Sequence, residues 1–136
     1  MGNPAGKKKL IVFTDPECPF CSRLHVELKK LVATDRDLEV LIKLLPLKIH
    51  PNAYAKAQVI LENRSLSMLE DSFAGKKLPA PGPRNTAAIV DETIKLAESL
   101  GIKATPTIIF PDGTLEEGAI PVSRIKKLLQ AKKKKK

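Results

Sequence analysis

The sequence predicts an α/β domain: a strand–helix–strand unit and a strand–strand–helix unit with a helical insertion between them. Three observations predict it. Leu10-Ile11-Val12-Phe13 is a continuous apolar run with a helical pattern directly behind it. Leu38-Glu39-Val40-Leu41-Ile42-Lys43-Leu44-Leu45 is a second strand-like run, at the spacing of a right-handed parallel crossover. Thr107-Ile108-Ile109-Phe110 comes only after a long helical stretch, and a turn and a further strand pattern follow it at once.

The first run is short and stops at Thr14-Asp15-Pro16, which suits a strand buried on both faces. In the helix behind it, Leu24, Leu28, Leu31 and Val32 share one stripe with Cys21, so Cys21 should face the core. Cys18 lies one turn earlier, at the exposed helix start. Pro19 takes the first helical position, where its missing N–H loses no hydrogen bond. Pro46 ends the second strand.

Residues 51–74 read as helical, with Tyr54, Ala57, Val59, Ile60 and Leu61 as the apolar face and a break over 63–67. Ser67 and Glu70 have capping-box spacing for a short second helix ending near Gly75. Residues 79–83 are a proline-rich loop. Residues 86–100 form a longer helix, with Val90, Ile94 and Ala97 inward and Gly101 as its stop. Pro111-Asp112-Gly113 turns the third strand into an antiparallel edge strand over 114–120. Val122, Ile125, Leu128 and Leu129 are the stripe of a closing helix. The order is similar to a thioredoxin fold with a helical insertion between its βαβ and ββα halves. The expected organisation is a flexible segment over 1–9, the domain over 10–131 with its insertion at about 47–104, and a disordered lysine tail over 132–136.

The only two cysteines of the 136 residues lie in Cys18-Pro19-Phe20-Cys21. Unpaired backbone N–H groups and the macrodipole at a helix start favour a thiolate, and the thiolate is the reactive form of cysteine. The pattern points to thiol–disulfide exchange. A passive staple is the plainer reading, but so short a loop restrains the unfolded chain by only about 2 kcal/mol. A zinc site is another: Cys18, Cys21, His25 and His50 are candidate ligands, without the second compact ligand pair of structural zinc. Both alternatives stay open on the sequence.

The formal net charge of +9 invites a nucleic-acid reading. Eight of those charges sit in Lys7 to Lys9 and Lys132 to Lys136, so the body is nearly neutral. The body also lacks the interleaved aromatics of single-strand binders, and no specific nucleic-acid partner is expected. No apolar run reaches the ~20 residues of a membrane span. No secretory leader is visible. Residues 1–6 look like an artificial or trimmed start, so this says little about a natural precursor.

Val12-Phe13-Thr14-Asp15, the cysteine motif and Leu24-His25 resemble the bacterial periplasmic disulfide isomerase family, DsbC and DsbG. The likeness continues at Ala74-Gly75-Lys76, at Gly101-Ile102-Lys103-Ala104-Thr105-Pro106 and at Asp112-Gly113-Thr114-Leu115. It covers about residues 10–130, the catalytic domain only. It implies a cis Pro106 beside the cysteines, with Thr105 offering backbone groups to a bound peptide. It also implies a periplasmic, cofactor-free enzyme acting on cysteine-containing proteins with an unidentified redox partner. The family's N-terminal dimerisation arm has no counterpart in these residues, so a monomer acting as reductase or oxidase is expected, with isomerase activity possible and efficient only if a further segment belongs to the natural protein. A second, structural cysteine pair is lacking as well. The proline after Cys18 also resembles glutaredoxins, which leaves a glutathione-linked reductase as an alternative. A zinc-binding or redox-inert adaptor module is another.

The expected roles follow. Cys18 attacks and Cys21 resolves. Pro19 and Phe20 help to bind substrate, with Phe20 as an exposed apolar contact or partly packed on a neighbouring loop. Glu17 either opposes the Cys18 thiolate by its charge or simply suits the helix start. His25 tunes the pair, or is only half-packed at the margin of the apolar stripe. His50 is given no role. Thioredoxins proper bury an acid six residues before the first cysteine, and that position is Val12 here. Proton transfer is therefore expected to rely on solvent or another side chain.

Overall fold

The computed structural model describes residues 1–82 and 86–130. The elements are β1 (Lys8–Thr14), α1 (Pro19–Thr34), β2 (Leu38–Leu44), α2 (Ala53–Asn63), α3 (Leu66–Phe73), α4 (Ala87–Ser99), β3 (Thr107–Ile109), β4 (Leu115–Glu117) and α5 (Val122–Gln130). The sheet order is β2-β1-β3-β4. β1 runs parallel to β2 and antiparallel to β3, and β3 runs antiparallel to β4. This is the thioredoxin-like architecture, with α2, α3 and α4 between its two halves.

Side-chain alternation along β1 explains the layers. Leu10 and Val12 enter a core with Leu24, Leu28 and Leu31 of α1 and Ile125 of α5. Phe13 points to the other face, against Ala97 and Ile102. A further cluster, Leu44, Ala57, Ile60, Leu69 and Val90, joins the inserted helices to the end of β2. Because Thr14 pairs in parallel register with Leu44, the loops leaving β1 and β2 emerge side by side. That places residues 45–50 next to the turn that carries the cysteines.

The structure differs from expectation in three places. β1 begins at Lys8, and the residues before it are not loose. The Met1 ammonium donates to Val40 O, Asn3 N–H donates to Leu38 O, and Met1 is packed against the core. The edge of β2 supplies carbonyls that the sequence alone does not reveal. The cap of α3 is Ser65, whose Oγ accepts from Met68 N–H at 3.0 Å, and Ser67 lies inside the helix. Glu70 is taken by α1 instead of a capping box, as the site geometry shows. The edge strand is shorter than 114–120, because Gly118 turns away with φ +92. The expected domain end at 131, the lysine tail and residue 83 of the proline-rich loop lie outside the described residues.

Candidate active site

Cys18 is the N-cap of α1 and Pro19 opens the helix. The turn is fastened from below: Cys18 N–H donates to Asp15 O at 3.1 Å, and Ser22 N–H donates to Cys18 O at 3.1 Å. The Thr105–Pro106 peptide is cis, as the resemblance implied, and brings Thr105 O to 3.7 Å from Cys18 Sγ, with the thiol as donor. Cys18, Cys21 and Thr105 therefore meet at the C-terminal end of β1, where α1 and the segment before β3 converge.

Cys18 is not as exposed as its position suggested. It is 5 % accessible and Cys21 1 %, so both residues are buried. Thr105 O lies against Cys18 on one side. The asymmetry between the sulfurs lies in what borders them. Cys18 lines an open polar cleft of about 360 Å³, with Glu17, Ser22, Lys56, Ser72 and Phe73. Beside it runs a larger, mainly apolar groove of about 930 Å³, lined by Phe20, Arg23, Leu24, Val26, Thr105 and Ile120. Phe20 stands at its rim, 53 % exposed, with the Arg23 guanidinium 5.2 Å from its ring centre.

Cys21 is enclosed. Burial pushes its thiol up to about 12. The Thr105 and Thr14 hydroxyls and the Asp15 backbone N–H, 3.4 Å from Cys21 Sγ, work against that rise, while neighbouring Cys18 adds to it. The Thr105 hydroxyl is buried and, among the described residues, has no partner at good hydrogen-bonding geometry, so it is a donor in reserve beside the sulfur.

The remaining candidates separate. Glu17 is within 2.8 Å of Lys56 Nζ, an ion pair that offsets the charge expected to oppose a thiolate. His25 is not half-packed but buried, its Nε2 2.9 Å from Glu70 and its ring tilted against Phe73. Lys29 reaches the same carboxylate at 2.9 Å. His25 and Lys29 together hold the Glu70 carboxyl below the usual range and clasp α1 to α3. His50 goes elsewhere, onto Asp15. Among the described residues no group of three or more His, Cys, Asp or Glu is placed to hold a metal ion.

Residues 3–133 match the family described as thioredoxin-like domain. The chain belongs to the thioredoxin-like family. Within it, the chain is 28% identical over 124 residues to a probable thiol:disulfide interchange protein DsbC of Bordetella avium, covering 91% of this chain and 43% of that protein. It is 26% identical over 134 residues to the thiol:disulfide interchange protein DsbC of Dickeya dadantii, covering 96% and 53%. It thus spans about half the length of these relatives. The crystal structure of a disulfide interchange protein from Neisseria gonorrhoeae superposes with a TM-score of 0.75 at 33% identity, covering 96% of this chain and 94% of that one. Pseudomonas aeruginosa DsbA2 shares the fold, with a TM-score of 0.81 at 23% identity and coverage of 94% and 90%. The described residues are thus a thioredoxin-like domain of the thiol–disulfide oxidoreductase kind, and none of their helices is long and apolar enough to cross a membrane.

Sequence reasoning missed one part of this thioredoxin-like site. Val12 is core, but a different acid, Asp15, is fully buried beneath the cysteines. A signal for it existed. Asp15 directly follows a strand whose parallel partner is β2, so any polar residue shortly after β2 was a candidate to meet it, and His50 is one.

Proposed function

We propose that this domain exchanges disulfides with cysteine-containing proteins through Cys18 and Cys21, without a cofactor. The observation that carries the reading is the contrast between the sulfurs: Cys18 borders an open cleft at a helix N-terminus, and Cys21 is sealed one turn below. Cys18 as thiolate attacks a substrate disulfide, forming a Cys18–substrate mixed disulfide and releasing one substrate thiolate. Cys21 loses its proton, by way of solvent, to the departing substrate sulfur and attacks Cys18 Sγ, breaking the mixed disulfide and releasing the second substrate sulfur as a thiol. The pair is then oxidised and the substrate reduced by two electrons. Run backwards, the same steps introduce a disulfide. The apolar groove holds an apolar stretch beside the substrate cysteine, with Phe20 as anchor at its rim and Pro19 shaping the turn. Thr105 offers its backbone to the same peptide, and cis Pro106 packs next to the pair. Glu17, balanced by Lys56, and His25, held by Glu70, tune the surroundings of Cys18. The resemblance to periplasmic relatives supports an extracytoplasmic setting, with a separate redox partner restoring the pair.

The test is the equilibrium of the pair against a glutathione redox buffer, quenched in acid, alkylated and read by mass. A reversible two-electron transition is expected. A midpoint near ~−120 mV marks a donor of disulfides, and one near ~−270 mV a reductant. Insulin reduction no faster than that of Cys18→Ser sinks the reading for protein substrates. Selective turnover of glutathione mixed disulfides moves it to a glutaredoxin-like reductase.

A further inference from the structure

Asp15 and His50 sit under the redox pair, and the exchange steps given above use neither. The Asp15 side chain is fully buried, a costly place for a carboxylate unless donors saturate it. They do. Its Oδ1 accepts from Glu17 N–H at 2.7 Å. Its Oδ2 accepts from Leu47 N–H at 2.7 Å and lies 2.9 Å from His50 Nδ1. One carboxylate therefore ties the β1–α1 turn to the segment after β2. The main chain of the same residue touches both halves of the cysteine motif, since its C=O takes Cys18 N–H and its N–H points at Cys21 Sγ. The His50 side chain is the outer member, 23% exposed.

We propose that Asp15 and His50 are positioning residues for the second step of exchange: the His50-locked carboxylate holds the Asp15 backbone N–H on Cys21 Sγ, where it stabilises the thiolate that attacks Cys18. The inference rests on the exchange reading above. The sulfur is shut away from water, so donors fixed in advance replace hydration when its charge develops. Burial is the main cause that holds the thiol up, with Cys18 adding to it, and the same amide is one of the groups that counter the rise. The other charged or titratable neighbours are Cys18 on the same helical turn and the Glu17–Lys56 pair that follows Asp15.

The sign of one substitution separates this role from a simple charge effect. If Asp15 acted on Cys21 only as a nearby anion, Asp15→Asn would favour the thiolate and speed the step. If it acts by fixing its amide, Asp15→Asn slows the step, because an asparagine has one acceptor oxygen and one NH2, so it cannot accept from Glu17 N–H on one side and from Leu47 N–H and His50 on the other, as the two carboxylate oxygens do.

The experiment prepares the protein with glutathione disulfide-linked to Cys18 and follows glutathione release by Cys21 at fixed neutral pH. Cys18 attack on glutathione disulfide is measured in parallel in Cys21→Ser. Asp15→Asn and His50→Leu should each slow release about tenfold, as a one-unit change in thiolate availability would, and leave the attack step within about threefold. His50→Asn, which keeps a neutral donor near the Nδ1 position, should restore release. Amide hydrogen exchange at residue 15 supplies a readout that needs no activity: protection should fall in His50→Leu and return in His50→Asn. Faster release in Asp15→Asn, equal loss in both steps, or unchanged protection at residue 15 would overturn the proposal. Failure of the unmutated protein to release glutathione counts against the exchange reading instead, and the exchange measurement still decides the clamp.

Discussion

The first turn of α1 has two sides built from different materials. The outer side has Cys18 on a polar cleft and Phe20 on a separate apolar groove. The inner side, around Cys21, is closed by Asp15 and the Thr14 and Thr105 hydroxyls. Only 4 percentage points of accessibility separate the two cysteines, 5 % against 1 %, so exposure does not distinguish them. What differs is the partner each sulfur can meet. Cys18 borders a cleft open to the outside, while Cys21 meets fixed donors and Cys18 itself. On the proposed reading, one site would carry an intermolecular step outside and an intramolecular step inside.

The sharpest way to break this comparison is to delete each sulfur in turn. Cys18→Ser should abolish exchange, a loss of at least about 10³-fold, because the weakly nucleophilic hydroxyl does not replace a thiolate. Cys21→Ser should keep the first step and stop at the mixed disulfide, visible by mass as a stable adduct with glutathione or substrate. If Cys21→Ser instead loses adduct formation as fully as Cys18→Ser, the division between the outer and inner sulfur is wrong.

Stability against pH tests the inner side alone. The Cys21 thiol is raised from an ordinary 9.0 to about 12 in the fold. Below pH 9 both the folded and unfolded chains keep this proton, and its contribution to stability is fully present. Between 9 and about 12 the unfolded chain has lost a proton that the folded chain retains, so stability falls as pH rises. The slope approaches about 1.4 kcal/mol per pH unit for one proton. Urea unfolding of the reduced protein across this window should show the fall. The oxidised protein, which has no proton on Cys21, and Cys21→Ala should show a shallower one. Identical slopes in all three would mean that Cys21 is less enclosed than its setting implies.

Legibility in the sequence followed the range of the interactions. β1, α1 and the cysteine turn were readable because an apolar run, a helical stripe and Pro19 at the first helical position are local signals. The cis peptide came from the resemblance carried by Thr105-Pro106, not from any pattern a propensity scale reads. The cap of α3 was misplaced by two residues because Ser67 and Glu70 match a capping box, while Glu70 is engaged by His25 and Lys29 of another helix. The first residues were misjudged because their partners, the carbonyls of Leu38 and Val40, lie on a distant strand. Asp15 escaped for the same reason. Its meaning depends on the parallel register that sets β1 beside β2, and a position rule taken from thioredoxins pointed to Val12 instead.

The smallest expected effect tests whether the outer side is separable. Phe20 offers an exposed ring at the rim of the apolar groove, and the Arg23 guanidinium beside it is its one cation–π contact among the described residues. Phe20→Ala removes substrate-facing apolar area without touching the enclosed sulfur. Loss of one half-used aromatic contact costs on the order of 1 kcal/mol in binding. KM for a peptide with an apolar residue next to its cysteine should therefore rise about fivefold, while turnover at saturation and the release of glutathione from Cys18 stay within about twofold. A peptide with only polar residues around its cysteine should hardly notice the change. The discriminating result is a joint one. If Phe20→Ala slows the Cys21 step as much as it raises KM, the two sides of the turn move together, and the groove acts on the inner sulfur as well as on the substrate.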